Sequence, residues 1–231
     1  MNRPGKARQT PNRSAALAQY RERAGIYDLE LVPFEWIRRR AISRLALQRG
    51  SVVLDAGCGT GLSLALLRRG VGARGRVIGI EQSPEMIEGA QRRVARKHWN
   101  NVTLLHAPVE AAEIPVLADA ALFHFTHDIL RLPEAVANVM RHLKPGARVV
   151  ASGLKWAGPW GIPVNLFVWA AALHSVTSLQ GLDAPWDGLA ASLGPLDVEE
   201  LLLGSVYIAS AALPQTATLR AASARSPSCS T

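Results

Sequence analysis

Val52-Val53-Leu54-Asp55-Ala56-Gly57-Cys58-Gly59-Thr60-Gly61 reads as a buried strand running into a glycine-rich turn. Its apolar run is short and continuous, as in a strand covered on both faces, and three alternating glycines allow a ligand to approach backbone that a Cβ would screen. Helical spacing resumes over residues 62–69. About twenty residues on, Glu81 closes a second apolar run, where a carboxylate can accept both hydroxyl hydrogens of a ribose. The turn and the acid together describe a nucleoside site.

Working outward, strands alternate with helical patterns, the signature of βαβ units, a parallel sheet and a doubly wound α/β fold. The pattern predicts a helix over 33–48, strands over 51–56 and 76–81, and a helix over 85–97 introduced by Ser83 as cap and Pro84 at its first position. Strands follow at 101–106 and 118–125, then a helix over 133–143 stopped by Lys144-Pro145-Gly146, and a fifth strand over 148–152. An apolar segment at 162–179 and a short piece at 186–193 have helical character. Two β-like runs, 196–203 and 206–212, suggest a terminal hairpin around Gly204 and Ser205.

Spacing separates the nucleoside classes. A dinucleotide fingerprint needs a third glycine at position 62, which is Leu62 here, and Asp55 beside the turn would repel a pyrophosphate. These two residues argue against a nicotinamide-dependent reductase. An anion there suits a ligand carrying an ammonium or a sulfonium. In the Asp55 glycine motif, Glu81-Gln82-Ser83-Pro84-Glu85-Met86 and Leu143-Lys144-Pro145-Gly146, in that order, the chain resembles the class I S-adenosylmethionine-dependent methyltransferases from about Tyr27 to Ala212.

The resemblance implies a Rossmann-like seven-stranded sheet, mostly parallel with an antiparallel last strand, and S-adenosyl-L-methionine as cofactor, with S-adenosyl-L-homocysteine as product. It places Gly57, Gly59 and Gly61 at the methionine part, Glu81 at the ribose, and Gln82 and Met86 at the adenine, with Asp55 and Cys58 of the same motif also among the cofactor-binding residues. Phe125 and Thr126 fall beside the cofactor, and Tyr27, just before Asp28, covers it. Relatives commonly carry an acid after the third strand, whereas this chain reads His106-Ala107-Pro108-Val109-Glu110. The adenine contact then falls to backbone groups from Ala107 through Pro108 to Val109, or to Glu110.

Methyl transfer depends mainly on positioning, with a base where the acceptor must lose a proton. His127, after the fourth strand, is the expected base, with Asp128 orienting it. The alternative is that Asp128 caps the next turn and His127 lines it. The acceptor is expected to be a small, largely apolar molecule methylated on O, N or C. Its pocket is drawn from Tyr20 and Trp36 in the entry segment, and from Trp156, Trp160, Asn165, Trp169, His174 and Trp186 in an insertion at about 154–195. Four of the six tryptophans fall in that insertion, and amphipathic rings of this kind line pockets as readily as cores. Quinone, phospholipid-head or nucleic-acid methylation is the alternative. No metal site is expected, because adjacent His127 and Asp128 diverge in a strand or open loop.

The net charge of +8 bears on partners. Arg3, Lys6, Arg8 and Arg13 lie in a leader, residues 1–19, whose composition predicts disorder, and Arg220 and Arg225 lie in a similar tail, residues 213–231. Arg38, Arg39 and Arg40 point in different directions on one helix, which reads as a solvated face and not a nucleic-acid patch. No run of about 18 apolar residues is present to span a membrane. With no secretory signal after Met1 and only two well-separated cysteines, Cys58 and Cys229, a reducing cytoplasm is expected, with the protein a monomer or homodimer.

Overall fold

Strand β1 (Val52–Ala56) is an interior strand, flanked in parallel by β2 (Arg76–Glu81) on one side and β4 (Ala118–His124) on the other. The computed structural model describes residues 34–157 and 181–215. With β3 (Val102–His106), β5 (Leu143–Leu154), β6 (Asp197–Leu201) and β7 (Val206–Ala212), these strands form a seven-stranded sheet of order β3-β2-β1-β4-β5-β7-β6. Strand β7 runs antiparallel to both of its neighbours, as the terminal hairpin requires.

Alternation along the strands sends side chains to two cores. Leu54, Ile78, Ala121 and Phe123 join one cluster with Val136 and Val139 of α5 (Pro133–Arg141). Val53, Val77, Ala120 and Leu122 join the other, with Ile37 of α1 (Glu35–Arg44) and Leu64 and Leu67 of α2 (Leu64–Val71). Helices therefore cover both faces, which is why the strands read as continuous apolar runs. Helix α3 (Pro84–Arg96) starts where Ser83 accepts the Met86 N–H at 3.3 Å. Short helix α4 (His127–Leu130) follows β4, and α6 (Asp187–Leu193) precedes the hairpin.

Several boundaries differ from the sequence reading. Helix α1 stops at Arg44, because Ala46 takes a left-handed backbone (φ 48°). Helix α2 starts two residues late, because Gly61 (φ 81°) still belongs to the turn. The Lys144-Pro145-Gly146 turn is absorbed into β5: Ala118 pairs with Leu143 and Ala120 with Arg148, so Lys144 to Ala147 bulge opposite Asp119 alone. Asp119 closes this bulge, accepting Lys144 Nζ and the Val52 N–H, each at 2.7 Å. His127 and Asp128 open a helix where an open segment was expected.

The solvated-face reading of the arginine run fails at Arg38, which is 3% exposed and paired with Glu35. Arg39 stays outside, while Arg40 and Arg44 bridge to Glu199 of β6. Residues 1–33, 158–180 and 216–231, and with them Tyr20, Tyr27, Trp160, Asn165, Trp169 and His174, lie outside the described residues.

Candidate active site

The glycine turn is bound to β2 before any ligand arrives. The N–H groups of Gly57 and Cys58 both donate to Ile80 O, at 2.8 and 3.0 Å. Gly57 (φ 79°) and Gly61 (φ 81°) need glycine twice over. A Cβ at Gly57 would stand 2.5 Å from Thr126 Cγ2 and 2.7 Å from Ile129 Cδ1; one at Gly61 would stand 2.6 Å from Leu64 Cδ1. At these two positions the close approach is to the protein's own side chains. Cys58 is buried, a Cβ on Gly79 would meet its Sγ at 2.9 Å, and burial pushes its thiol well up, so it is a packing group.

Glu81 ends β2 at 8% exposure. Its Oε2 accepts the Gly59 N–H at 3.0 Å and its Oε1 the Ser83 N–H at 2.8 Å. Burial pushes its carboxyl above the usual carboxylate range, against the pull of the backbone N–H groups of Ser83, Gly59 and Gln82. Each oxygen keeps a further lone pair for a ribose hydroxyl. Met86 packs fully buried beneath the start of α3, and Gln82, half-buried, offers its carbonyl to His106 Nε2 at 3.2 Å. The Pro108-Val109 loop is pinned by Asn138 Nδ2, which donates to Val109 O at 2.7 Å and Ala112 O at 3.0 Å.

A cleft opens beside the turn, lined among others by Arg38, Asp55, Thr60, His124 and Phe125. Asp55 is 1% exposed and its Oδ2 has no hydrogen-bond partner. Burial pushes its carboxyl up to about 7, against the pull of Arg38 and with a smaller push from Glu81. Arg38 Nε is likewise buried without a partner. His124 Nδ1 lies 2.7 Å from Ser152 Oγ, and burial, then the Arg38 charge, lowers the imidazole to about 3, so it is neutral. Phe125 takes a left-handed backbone (φ 57°), bonds its N–H to Ser152 O at 2.7 Å and packs on Phe34 and the His124 ring.

Of the expected site residues, Asp55, Gly57, Cys58, Gly59 and Phe125 line this cleft, Glu81 is tied to the turn through Gly59, and Thr126 stands against Gly57. His127 does not line this cleft. It is 7% exposed, and its Cε1 lies 4.0 Å from where a Cβ on Gly181 would sit. Asp128 follows it in α4. Trp36 is 44% exposed on α1. Trp156 and Trp186 pack on opposite faces, Trp186 at 5.0 Å from the Tyr207 ring, so these two do not share one wall. Arg38, His124 and Ser152 are the polar groups that the sequence reading missed. The signal for Arg38 was a charge within the apolar stripe of Ile37, Ala41 and Ile42. For His124 it was the alternation Ala120, Leu122, His124, which puts the ring on the Asp55 face of the sheet.

Residues 53–146 match the model of the family described as a methyltransferase domain. An arsenite methyltransferase of Halobacterium salinarum is 31% identical over 126 residues, covering 52% of this chain and 32% of that protein. A malonyl-[acyl-carrier protein] O-methyltransferase of Serratia marcescens is 28% identical over 149 residues, covering 64% of this chain and 56% of that one. The chain thus spans between about a third and just over half the length of these curated relatives. Among solved structures, the N-methyltransferase NodS of Bradyrhizobium japonicum, in complex with S-adenosyl-L-homocysteine, shares the fold at a TM-score of 0.61 and 18% identity, covering 86% of this chain and 98% of that one. Matched segment, sheet order and glycine turn define one class, and the chain carries a class I S-adenosyl-L-methionine-dependent methyltransferase domain. The cofactor of that class fits the residues present, since the buried, unpartnered Asp55 Oδ2 lies beside the turn where its ammonium would dock. Among the described residues no helix is long and apolar enough to cross a membrane.

Proposed function

We propose that this protein methylates O, N or C of a small, largely apolar acceptor, using S-adenosyl-L-methionine. The observation that carries this reading is the pair of buried, opposite and incompletely partnered charges, Asp55 and Arg38, in a cleft beside the glycine turn. Desolvating two such groups is costly unless a ligand of matching charge completes them. An amino-acid end does so, its ammonium at Asp55 and its carboxylate at Arg38. Glu81 holds the ribose, while Gln82, Met86 and the Pro108-Val109 loop flank the adenine. When bound, the cofactor supplies a sulfonium methyl group open to in-line attack by a lone pair.

The chain's remaining task is to orient the acceptor and exclude water. Phe34, Phe125 and Trp156, packed against the α1 side of the sheet, supply apolar surface for it. The insertion at about 154–195, in which the Trp156 N–H donates to Leu182 O at 2.9 Å, is assigned to the acceptor. For an acceptor that must lose a proton, His127 is the proposed base and Asp128 its neighbour in α4. Titration calorimetry with S-adenosyl-L-homocysteine and with reduced nicotinamide dinucleotide tests the reading. Binding of the first alone is expected, and binding of the second alone would overturn it. A screen of small acceptors for S-adenosyl-L-homocysteine release then identifies the substrate.

A further inference from the structure

Ser152 is fully buried on β5, and its hydroxyl has one partner, His124 Nδ1 at 2.7 Å. The direction of that bond follows from what each choice leaves behind. If Nδ1–H donated to Oγ, the Ser152 hydroxyl hydrogen would be buried with no acceptor. If Oγ–H donates to Nδ1, only oxygen lone pairs are left over, and an unmade acceptor site on an oxygen that already bonds is the cheaper loss. The hydroxyl therefore donates, and the imidazole proton sits on Nε2. With Nδ1 turned to Ser152, the Nε2–H edge is the polar edge that His124 offers to the cleft it lines.

The cleft fixes what this donor meets. His124 is on the same face of the sheet as Asp55, two residues beyond Leu122, which pairs with Asp55 in register. Arg38 reaches this face from α1, and its charge acts on both His124 and Asp55. A donor beside a guanidinium, with a carboxylate across the cleft, matches a zwitterion. We propose that His124, locked by Ser152 as the Nε2–H tautomer, is a positioning donor to the carboxylate of the cofactor's amino-acid end, alongside Arg38. This rests on the cofactor reading above and adds a residue pair to it. A neutral donor suits the place, because an imidazolium there would crowd a second positive charge against Arg38. The ring stays neutral without help from the ligand, since burial and Arg38 hold it far below its usual range.

The test compares two nucleosides on the full-length chain by titration calorimetry. S-adenosyl-L-homocysteine carries the amino-acid end; 5′-methylthioadenosine keeps the nucleoside and the sulfur but lacks it. His124→Ala should weaken the first about tenfold or more and leave the second within about twofold. Ser152→Ala, which keeps the ring but frees its tautomer, should give a smaller loss of the same kind, and adding it to His124→Ala should cost nothing further. His124→Asn supplies a second variant should alanine unfold the strand end, with circular dichroism checking each fold. Nitrogen-15 NMR of labelled histidine should show His124 protonated on Nε2 at neutral pH. An Nδ1–H tautomer, or an unchanged ratio of the two affinities in a folded His124 variant, would overturn the inference while leaving the cofactor reading intact. That second result with a raised acceptor KM would place His124 on the acceptor instead. Failure of the wild type to bind either nucleoside would overturn the cofactor reading itself.

Discussion

Glu81 Oε2 accepts the backbone N–H of Gly59 at 3.0 Å, so the acid that ends β2 also fixes the turn that follows β1. One residue therefore serves two ends of the nucleoside site. Glu81→Gln keeps the shape but sets an NH₂ group among N–H donors at Gly59 and Ser83. Hydrogen bonds to charged groups are worth about 1.5–3 kcal/mol. The expected loss of S-adenosyl-L-homocysteine affinity is about 10–100-fold, with faster amide exchange at Gly59. Calorimetry and hydrogen exchange on the same variant check both, and slowed or unchanged exchange would separate the ribose role from the turn.

At Gly57 the crowding comes from Thr126 and Ile129, which has a consequence for stability as well as binding. Gly57→Ala combines a left-handed backbone with two close contacts and should destabilise the fold by about 1–3 kcal/mol. Adding Thr126→Ser and Ile129→Val, which remove the two methyl groups concerned, should restore part of that loss. Urea midpoints for the single and triple variants decide it. Equal midpoints would mean that the strain is in the backbone alone.

Much of the framework was readable because its determinants are local. Ser83-Pro84 set a helix start to within one residue, and the 76–81 and 206–212 strands fell where their apolar runs placed them. The glycine turn and Glu81 were readable for the same reason, as spacing in one βαβ unit. What was missed depends on distant partners. Lys144-Pro145-Gly146 looks like a stop, and only Asp119, on the neighbouring strand, turns it into a bulge within β5. Phe125 gives no local sign of a left-handed backbone; its N–H is drawn to Ser152 O. Arg38 sits among two other arginines, and only its helical spacing to Ala41 and Ile42 marks it as the one that turns inward. His127 and Asp128 read as an open segment because α4 could not be foreseen, and the helix brings His127 Cε1 to 4.0 Å from where a Cβ on Gly181 would sit.

Asp55 makes the empty protein sensitive to pH. Its folded-state value, about 7, lies above the model-peptide value of 3.8. Between those values the folded state holds a proton that the unfolded state has lost, so stability is fullest below about pH 4 and falls as pH rises through 7. The loss reaches on the order of a few kcal/mol by pH 8. Asp55→Asn should remove this slope, leaving a variant more stable than wild type at pH 8 yet much weaker for S-adenosyl-L-homocysteine. Binding of an ammonium at Asp55 should release a proton near neutral pH, so wild-type affinity rises with pH up to about 7. Calorimetry at pH 6.5 in two buffers of different ionisation enthalpy measures that proton directly. Equal heats in the two would remove Asp55 from the ammonium site.

The two histidines at the end of β4 make opposite predictions for the chemistry. His124 is neutral down to about pH 3 and holds a proton on Nε2, so it donates a hydrogen bond and takes no proton in the working range. His127, 7% exposed at the start of α4, is the proposed base. His127→Ala should lower turnover by about 10²–10⁴-fold, the usual scale for a positioned base, with S-adenosyl-L-homocysteine affinity unchanged. The wild-type rate should rise with pH as the base loses its proton, and His127→Ala should lose that rise. His124→Ala should keep the rise and lose cofactor affinity. The deciding measurement is the pH–rate profile of the three proteins on one acceptor found in the screen. If His127→Ala keeps both the profile and near-wild-type turnover, the acceptor reacts as a free nucleophile, and orientation in the cleft is all the protein contributes to its attack.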